Sequence, residues 1–313
     1  MKVLINRKSV IGPWGGGNKF VQGMWKFGEE CGLKLTYKPE KDIDAILLVG
    51  ALPYSDVGIG FNEALHIKSK FPKVKIITRM NDHDIVREAR NCFDGEKRKL
   101  SQYFDAAIFV SKWLKGYYEN FEDWQCEYST VIKNGVDTSI FKEIPEKEKI
   151  SSKNGKINIV THHWSSNKGK GFETYKLIED FCMQNKEKYT FTYIGRHPGC
   201  FNKSNVIDPI FGKELGDTLA KYDVYVSASK YESGPNHVLE AVACNIPVLI
   251  HEKSGGGLEF VKNEKNYFKD NHDLIKKLSN LSFEENYGSI TSMKECVHSY
   301  SKFIEKVLKG NRK

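Results

Sequence analysis

Two acids eight residues apart, Glu232 and Glu240, frame the segment whose residue types could do chemistry, with Gly234-Pro235-Asn236 between them. Pro235 suits the first turn of a helix, where a missing N–H costs nothing. Gly234 lets a ligand approach the backbone closely. The amino end of a helix presents N–H groups and a partial positive charge, which favours a phosphate or diphosphate. Carboxylates accept hydrogen bonds from sugar and ribose hydroxyls. One acid before such a phosphate site and one behind it could hold the two ends of a nucleotide-sugar. For Glu232 the alternative is a solvated loop residue. For Glu240 it is a surface helix position, although flanking Leu239 and Ala241 lie in an otherwise apolar helix, where a carboxylate needs a reason.

A second segment reads Thr161-His162-His163-Trp164-Ser165-Ser166-Asn167-Lys168-Gly169-Lys170-Gly171-Phe172. It follows a strand-like run and opens a helix. Taking Lys170-Gly171 as the helix start turns Phe172 and Tyr175 inward; Lys168-Gly169 is the rival register, and ordinary surface lysines are the alternative for both. Near the start, Gly15-Gly16-Gly17 stand between a strand and a helix. They are contiguous and lack the spacing of a dinucleotide fingerprint, so a tight turn competes with a ligand loop. Arg79 and Asn81 stand just past an apolar strand-like run, where they should face a cleft. Arg196 follows another such run and reads either as a phosphate contact or as a surface arginine.

These residues need elements to position them. Apolar runs fall at 2–6, 34–37, 45–50, 73–78, 106–111 and 129–134, and again at 157–162, 189–195, 224–229 and 247–251. Ala45-Ile46-Leu47-Leu48-Val49 is continuous, as strands covered on both faces of a parallel sheet are. Helical stretches are expected at 171–184, 215–221, 235–244 and 273–281. The alternation is the βαβ signature of two doubly wound α/β domains. The polar segment Lys142–Lys156 reads as a linker. The expected domains are residues 1–145 and 146–289, with a helix at about 290–313 packing back on the first.

The 313 residues are 40% hydrophobic and 28% charged, ordinary for a globular chain of two domains. No run is long enough to span a bilayer, and the start shows no signal peptide, so a cytoplasmic location is expected. Seven scattered cysteines without a Cys-x-x-Cys pair argue for reduced thiols, and nine histidines lack metal-ligand spacing. The +8 charge is spread among nearly as many acids. With no basic stripe carrying interleaved aromatics, nucleic acid is not an expected partner.

The pattern Glu232-x7-Glu240, with Gly234-Pro235-Asn236 inside and Leu239-Glu240-Ala241-Val242-Ala243-Cys244 around its end, resembles the signature of retaining glycosyltransferases of family 4. Asn134-Gly135-Val136-Asp137 with Phe141 is similar to the element that ends the first domain in that family. The resemblance implies a GT-B fold, two Rossmann-like α/β domains with parallel sheets facing across a cleft. It implies transfer of a hexose, with retention, from a UDP- or GDP-linked donor to a glycan or lipid-linked hydroxyl. Glu232 and Lys170 would be catalytic. Glu240, Gly234, Pro235, Asn236, His163, Ser165, Lys168, Arg196, Gly16 and Gly17 would bind the donor, and Arg79 and Asn81 would face sugar or acceptor. No metal and no cofactor are expected, and a peripheral membrane contact would fit relatives. The family's diphosphate arginine is missing from the loop at His163–Ser165. That departure keeps open a nucleotide-binding chain without transferase activity.

Overall fold

The computed structural model describes residues 1–12, 14–50, 52–54, 58–85, 93–201, 205–281 and 290–310. The chain divides into two compact units. Unit 1 comprises Met1–Val10, Gly16–Gly135 and the segment from Thr291; unit 2 comprises Ile11–Gly15 and Val136–Ile290.

Unit 1 runs β1 (Lys2–Ile5), α1 (Gly16–Phe27), β2 (Lys34–Thr36), β3 (Ala45–Val49), α2 (Phe61–Lys70), β4 (Lys75–Met80), α3 (Phe93–Leu100), β5 (Ala106–Phe109), α4 (Lys112–Glu119) and β6 (Ser129–Val131). Its six strands are all parallel, in the order β2-β1-β3-β4-β5-β6. Alternate residues of β3 show why the run is apolar throughout. Ala45 and Leu47 join a core with Phe20, Val21 and Met24 of α1, while Ile46 and Leu48 join one with Phe61 and Ala64 of α2.

Unit 2 runs α5 (Ser151–Asn154), β7 (Ile157–His163), α6 (Phe172–Gln184), β8 (Tyr189–Gly195), β9 (Asn205–Ile207), α7 (Gly212–Leu219), β10 (Val224–Ser227), α8 (Asn236–Ala243), β11 (Val248–His251), β12 (Tyr267–Phe268) and α9 (Asn271–Ser279). Its sheet is also parallel, ordered β12-β11-β10-β7-β8-β9. The chain winds outward from β7 to β9, crosses back, and winds outward again from β10 to β12. The crevice beyond the carboxyl ends of β7 and β10 is therefore a topological switch point, where open α/β sheets bind ligands.

The last helix, α10 (Met293–Leu308), returns to unit 1 and packs Tyr300 against Phe20 of α1, the ring centroids 4.7 Å apart. A capping box starts it, with Ser292 accepting from the Glu295 N–H and Glu295 from the Ser292 N–H. Residues 311–313 of the helix expected at 290–313 lie outside the described residues.

The segment expected to be a linker is built instead into unit 2. It forms a 3-10 turn at Glu146–Glu148 and the single turn α5, and Ile144 and Ile150 pack on the core beside Tyr222. Two isoleucines among charges are enough to dock it. The edge strands β9 and β12, three and two residues long, were not expected, since so short a run carries no readable period. β4 extends to Met80 through a register pairing Val49, Arg79 and Ile108, so Arg79 lies within the strand rather than past it.

Candidate functional site

The site begins with the two ends of the switch point. β7 delivers His162 and His163, and β10 delivers Ser227, all buried. Successive strand residues point to opposite faces. Val160 packs toward α8 and Ile159 toward α6, and the two histidines continue that alternation. His162 reaches Glu240 of α8, Nε2 to Oε2 at 2.9 Å. His163 shares a 2.7 Å hydrogen bond between Nε2 and the Tyr175 hydroxyl of α6, which also accepts from the Ala228 N–H at 2.9 Å.

Glu240 is 2% exposed. A carboxylate so buried needs a hydrogen-bonded partner, and the imidazole supplies one. The surface reading of Glu240 is thereby excluded. His237, in the first turn of α8, takes a 3.2 Å hydrogen bond with Ser227 and packs its ring 4.6 Å from that of His163. Burial holds the His163 imidazolium well below its ordinary pKa, and His237, Lys170 and His162 push it further down. His163 is therefore neutral at pH 7. Three imidazoles converge here, yet no three described His, Cys, Asp or Glu side chains are placed to hold a metal ion.

Lys170 ends a 3-10 turn at Lys168–Lys170, and Gly171 passes the chain into α6. Gly171 has φ +82°, and a Cβ there would lie 2.6 Å from the carbonyl oxygen of Ala228. Only glycine satisfies both conditions, which fixes the turn against the end of β10. Lys170 Nζ then donates to Glu232 Oε1 at 2.5 Å, with both side chains about one-fifth exposed. The loop carrying Glu232 is laced to the one after β11. Glu232 N donates to Ser254 O at 2.8 Å, Gly256 N donates to Glu232 O at 2.7 Å, and Tyr231, at φ +54°, donates to Lys253 O. At Gly257 a Cβ would come within 3.1 Å of the Pro235 ring. The amino end of α8 thus stands between a lysine–carboxylate pair and a glycine-rich wall.

Of the residues singled out in the sequence, Glu232, Lys170, Glu240, His163, Gly234, Pro235 and Asn236 are drawn around the β7–β10 ends and the start of α8. Ser165 lies in the loop after β7, its hydroxyl accepting from the Asn167 N–H at 3.4 Å. Lys168 is exposed on the same loop. Arg196 is exposed, with its guanidinium 4.0 Å over the Trp164 ring. Gly16, Gly17, Arg79 and Asn81 belong to unit 1. Arg79 is buried in β4, and Asn81 is half-buried just past its end. His162, His237, Tyr175 and Trp164 were not selected from the sequence. Strand alternation signals His162: the face of β7 that carries Val160 must also meet the carboxylate of α8.

The sequence profile described as glycosyl transferases group 1 matches residues 199–289. No curated relative matches the chain. Among solved structures, HepE from Anabaena in complex with UDP and glucose is 13% identical with a TM-score of 0.63, the alignment covering 99% of this chain and 98% of that one. Sucrose-phosphate synthase from Thermosynechococcus elongatus is 12% identical, TM-score 0.63, over 99% and 96%. A glycosyltransferase from Rickettsia africae is 16% identical, TM-score 0.57, over 95% and 81%. At such identities the likeness is one of fold. The chain has the two-domain α/β architecture called GT-B, and within it residues 199–289 match the glycosyl transferases group 1 profile.

Proposed function

We propose that this protein transfers a sugar from a nucleotide diphosphate donor to a hydroxyl acceptor, with retention of anomeric configuration, and that unit 2 holds the donor. The observation that carries the reading is the Lys170–Glu232 pair beside the amino end of α8, at the switch point of the sheet. Cleavage of the sugar–phosphate bond develops negative charge on the diphosphate and positive charge on the sugar. A lysine and a helix amino end stabilise the first, and a carboxylate offsets the second. Lys170 and Glu232 neutralise one another in the structure, so an arriving diphosphate competes with Glu232 for the ammonium and leaves that carboxylate to the sugar. Neutral His163 contributes no charge and, through the Tyr175 hydroxyl, ties the end of β7 to α6 and to the Ala228 N–H. Glu240, oriented by His162, serves the ribose. The glycosyl transferases group 1 match over 199–289 and the UDP-bound structures of the same fold support a nucleotide-sugar donor, with UDP the first to try. The acceptor proposed with it is a glycan or lipid-linked hydroxyl.

Donor binding and turnover in Lys170→Ala and Glu240→Gln test the reading. A lost charged hydrogen bond costs about 1.5–3 kcal/mol, or roughly 10- to 100-fold in affinity. Both variants are expected to weaken UDP binding by that order and to lose turnover of a UDP-hexose. Wild-type affinity for every nucleotide-sugar in both variants overturns it.

A further inference from the structure

We propose that His251, at the end of β11, is a positioning residue for Glu232: its ring and its carbonyl fix the turn at Lys253-Ser254, and that turn holds the Glu232 backbone in place. The proposal rests on the glycosyl-transfer reading for the role of Glu232, while the coupling of the two loops follows from unit 2 alone.

His251 anchors the turn twice. Lys253 N donates to its Nδ1 at 3.0 Å, and Ser254 N donates to its carbonyl oxygen at 2.9 Å. A backbone N–H only donates, so Nδ1 must offer a lone pair, and the bond exists only while the imidazole is neutral with its proton on Nε2. The ring is 5% exposed and meets Phe268 of β12 edge-on, the centroids 5.2 Å apart. It is therefore held against the sheet, and the turn is built on it.

The two carbonyls of that turn receive the Glu232 loop. Lys253 O accepts from Tyr231 N at 2.7 Å, Ser254 O from Glu232 N at 2.8 Å, and Glu232 O from Gly256 N at 2.7 Å. Tyr231 sits at φ +54°, a left-handed conformation that a bulky residue keeps only where its surroundings impose it. The bonds to Lys253 and Ser254 impose it here. The carboxylate of Glu232 meets Lys170 from the place this backbone gives it. A shift of the turn moves that carboxylate relative to the sugar, and misplacement by about 1 Å is enough to cost turnover.

Protonation undoes the arrangement, because an imidazolium has no lone pair at Nδ1 and sets N–H against N–H. The charged groups around the ring are Lys230 on the loop between β10 and α8, Glu252 and Lys253 on the turn, and Asp270 at the start of α9. Burial and then Lys230 hold the imidazolium below its ordinary pKa, Lys253 acts with them, and Glu252 and Asp270 oppose them. The turn is thus intact at pH 7 and loosens only in acid, below about 6.5.

The test reads kcat and KM for a UDP-hexose between pH 7.5 and pH 5, together with amide hydrogen exchange at Tyr231 and Glu232 measured against the amides of β8. His251→Asn keeps an acceptor, since Asn Oδ1 takes the place of Nδ1, and it does not titrate. It is expected to hold kcat at pH 7.5 within about threefold of wild type, to lose less kcat in acid, and to keep the two amides protected where wild type loses protection. His251→Leu fills the space without an acceptor. It is expected to lower kcat about tenfold with KM within about twofold, and to speed exchange at the two amides at every pH while β8 stays protected. Exchange in His251→Leu equal to wild type, equal damage in the Asn and Leu variants, or the same acid loss of protection in wild type and His251→Asn each overturns the proposal. Exchange that follows these expectations in a chain that turns over no nucleotide-sugar sinks the transfer reading and leaves the coupling of the two loops standing.

Discussion

At the scale of residues, His163 is the group whose environment speaks most directly to pH. Its ordinary pKa lies near 6.5, and in the fold it is held well below that by burial and three nearby basic groups. Between those two values the unfolded chain binds a proton that the folded chain refuses. Stability therefore rises with pH across that window and falls as pH drops below about 6.5. One such histidine contributes at most about 1.4 kcal/mol per pH unit. His163→Gln is expected to show a smaller loss of melting temperature between pH 7 and pH 5.5 than wild type, read by scanning calorimetry. An unchanged acid limb would show that His163 is protonated inside the fold. The Glu232–Lys170 and Glu240–His162 pairs teach a related lesson. The sequence marks each acid as conspicuous, but it does not say which base answers it, because those partners lie 62 and 78 positions away.

At the scale of elements, α10 decides whether unit 1 has a closed core. Val297, Tyr300, Ile304 and Val307 are buried on it, against Phe20, Val21 and Met24 of α1. The approach is tight at one point: a Cβ on Gly135 would lie 2.7 Å from Met293 Cα and from Ser292 O. Those are backbone atoms and cannot swing aside. Gly135→Ala is expected to destabilise unit 1 by about 2 kcal/mol, the ordinary cost of overpacking, read as a lowered urea midpoint. A midpoint equal to wild type would mean that the start of α10 yields freely. The Asn134-Gly135 pair, conspicuous in the sequence as a turn signal, thus owes its glycine to a helix more than 150 positions downstream. Turn chemistry was legible there; the packing reason was not.

At the scale of the whole molecule, each unit owns, among the described residues, two hydrophobic cores, one on either face of its sheet. Units with cores of their own are expected to unfold as separate cooperative bodies. Val297→Ala in unit 1 and Leu274→Ala in unit 2 each open a cavity beneath a fully covered helix position. Each is expected to cost about 1–4 kcal/mol and to shift a different calorimetric transition. A single transition moved by both would show that the units melt as one.

The amino-acid sequence by itself determined the strand runs, the α/β alternation, and the Glu–Gly–Pro–Glu frame of α8. Those signals are local, written in periods of two and 3.6 residues and in the backbone limits of glycine and proline. Tertiary structure alone decided that β7 lies beside β10, that His162 answers Glu240, and that Arg79 sits buried within a strand. Periodicity says which face a residue takes, but the neighbour on that face is set by strand order and crossover, which bring together residues far apart in the chain.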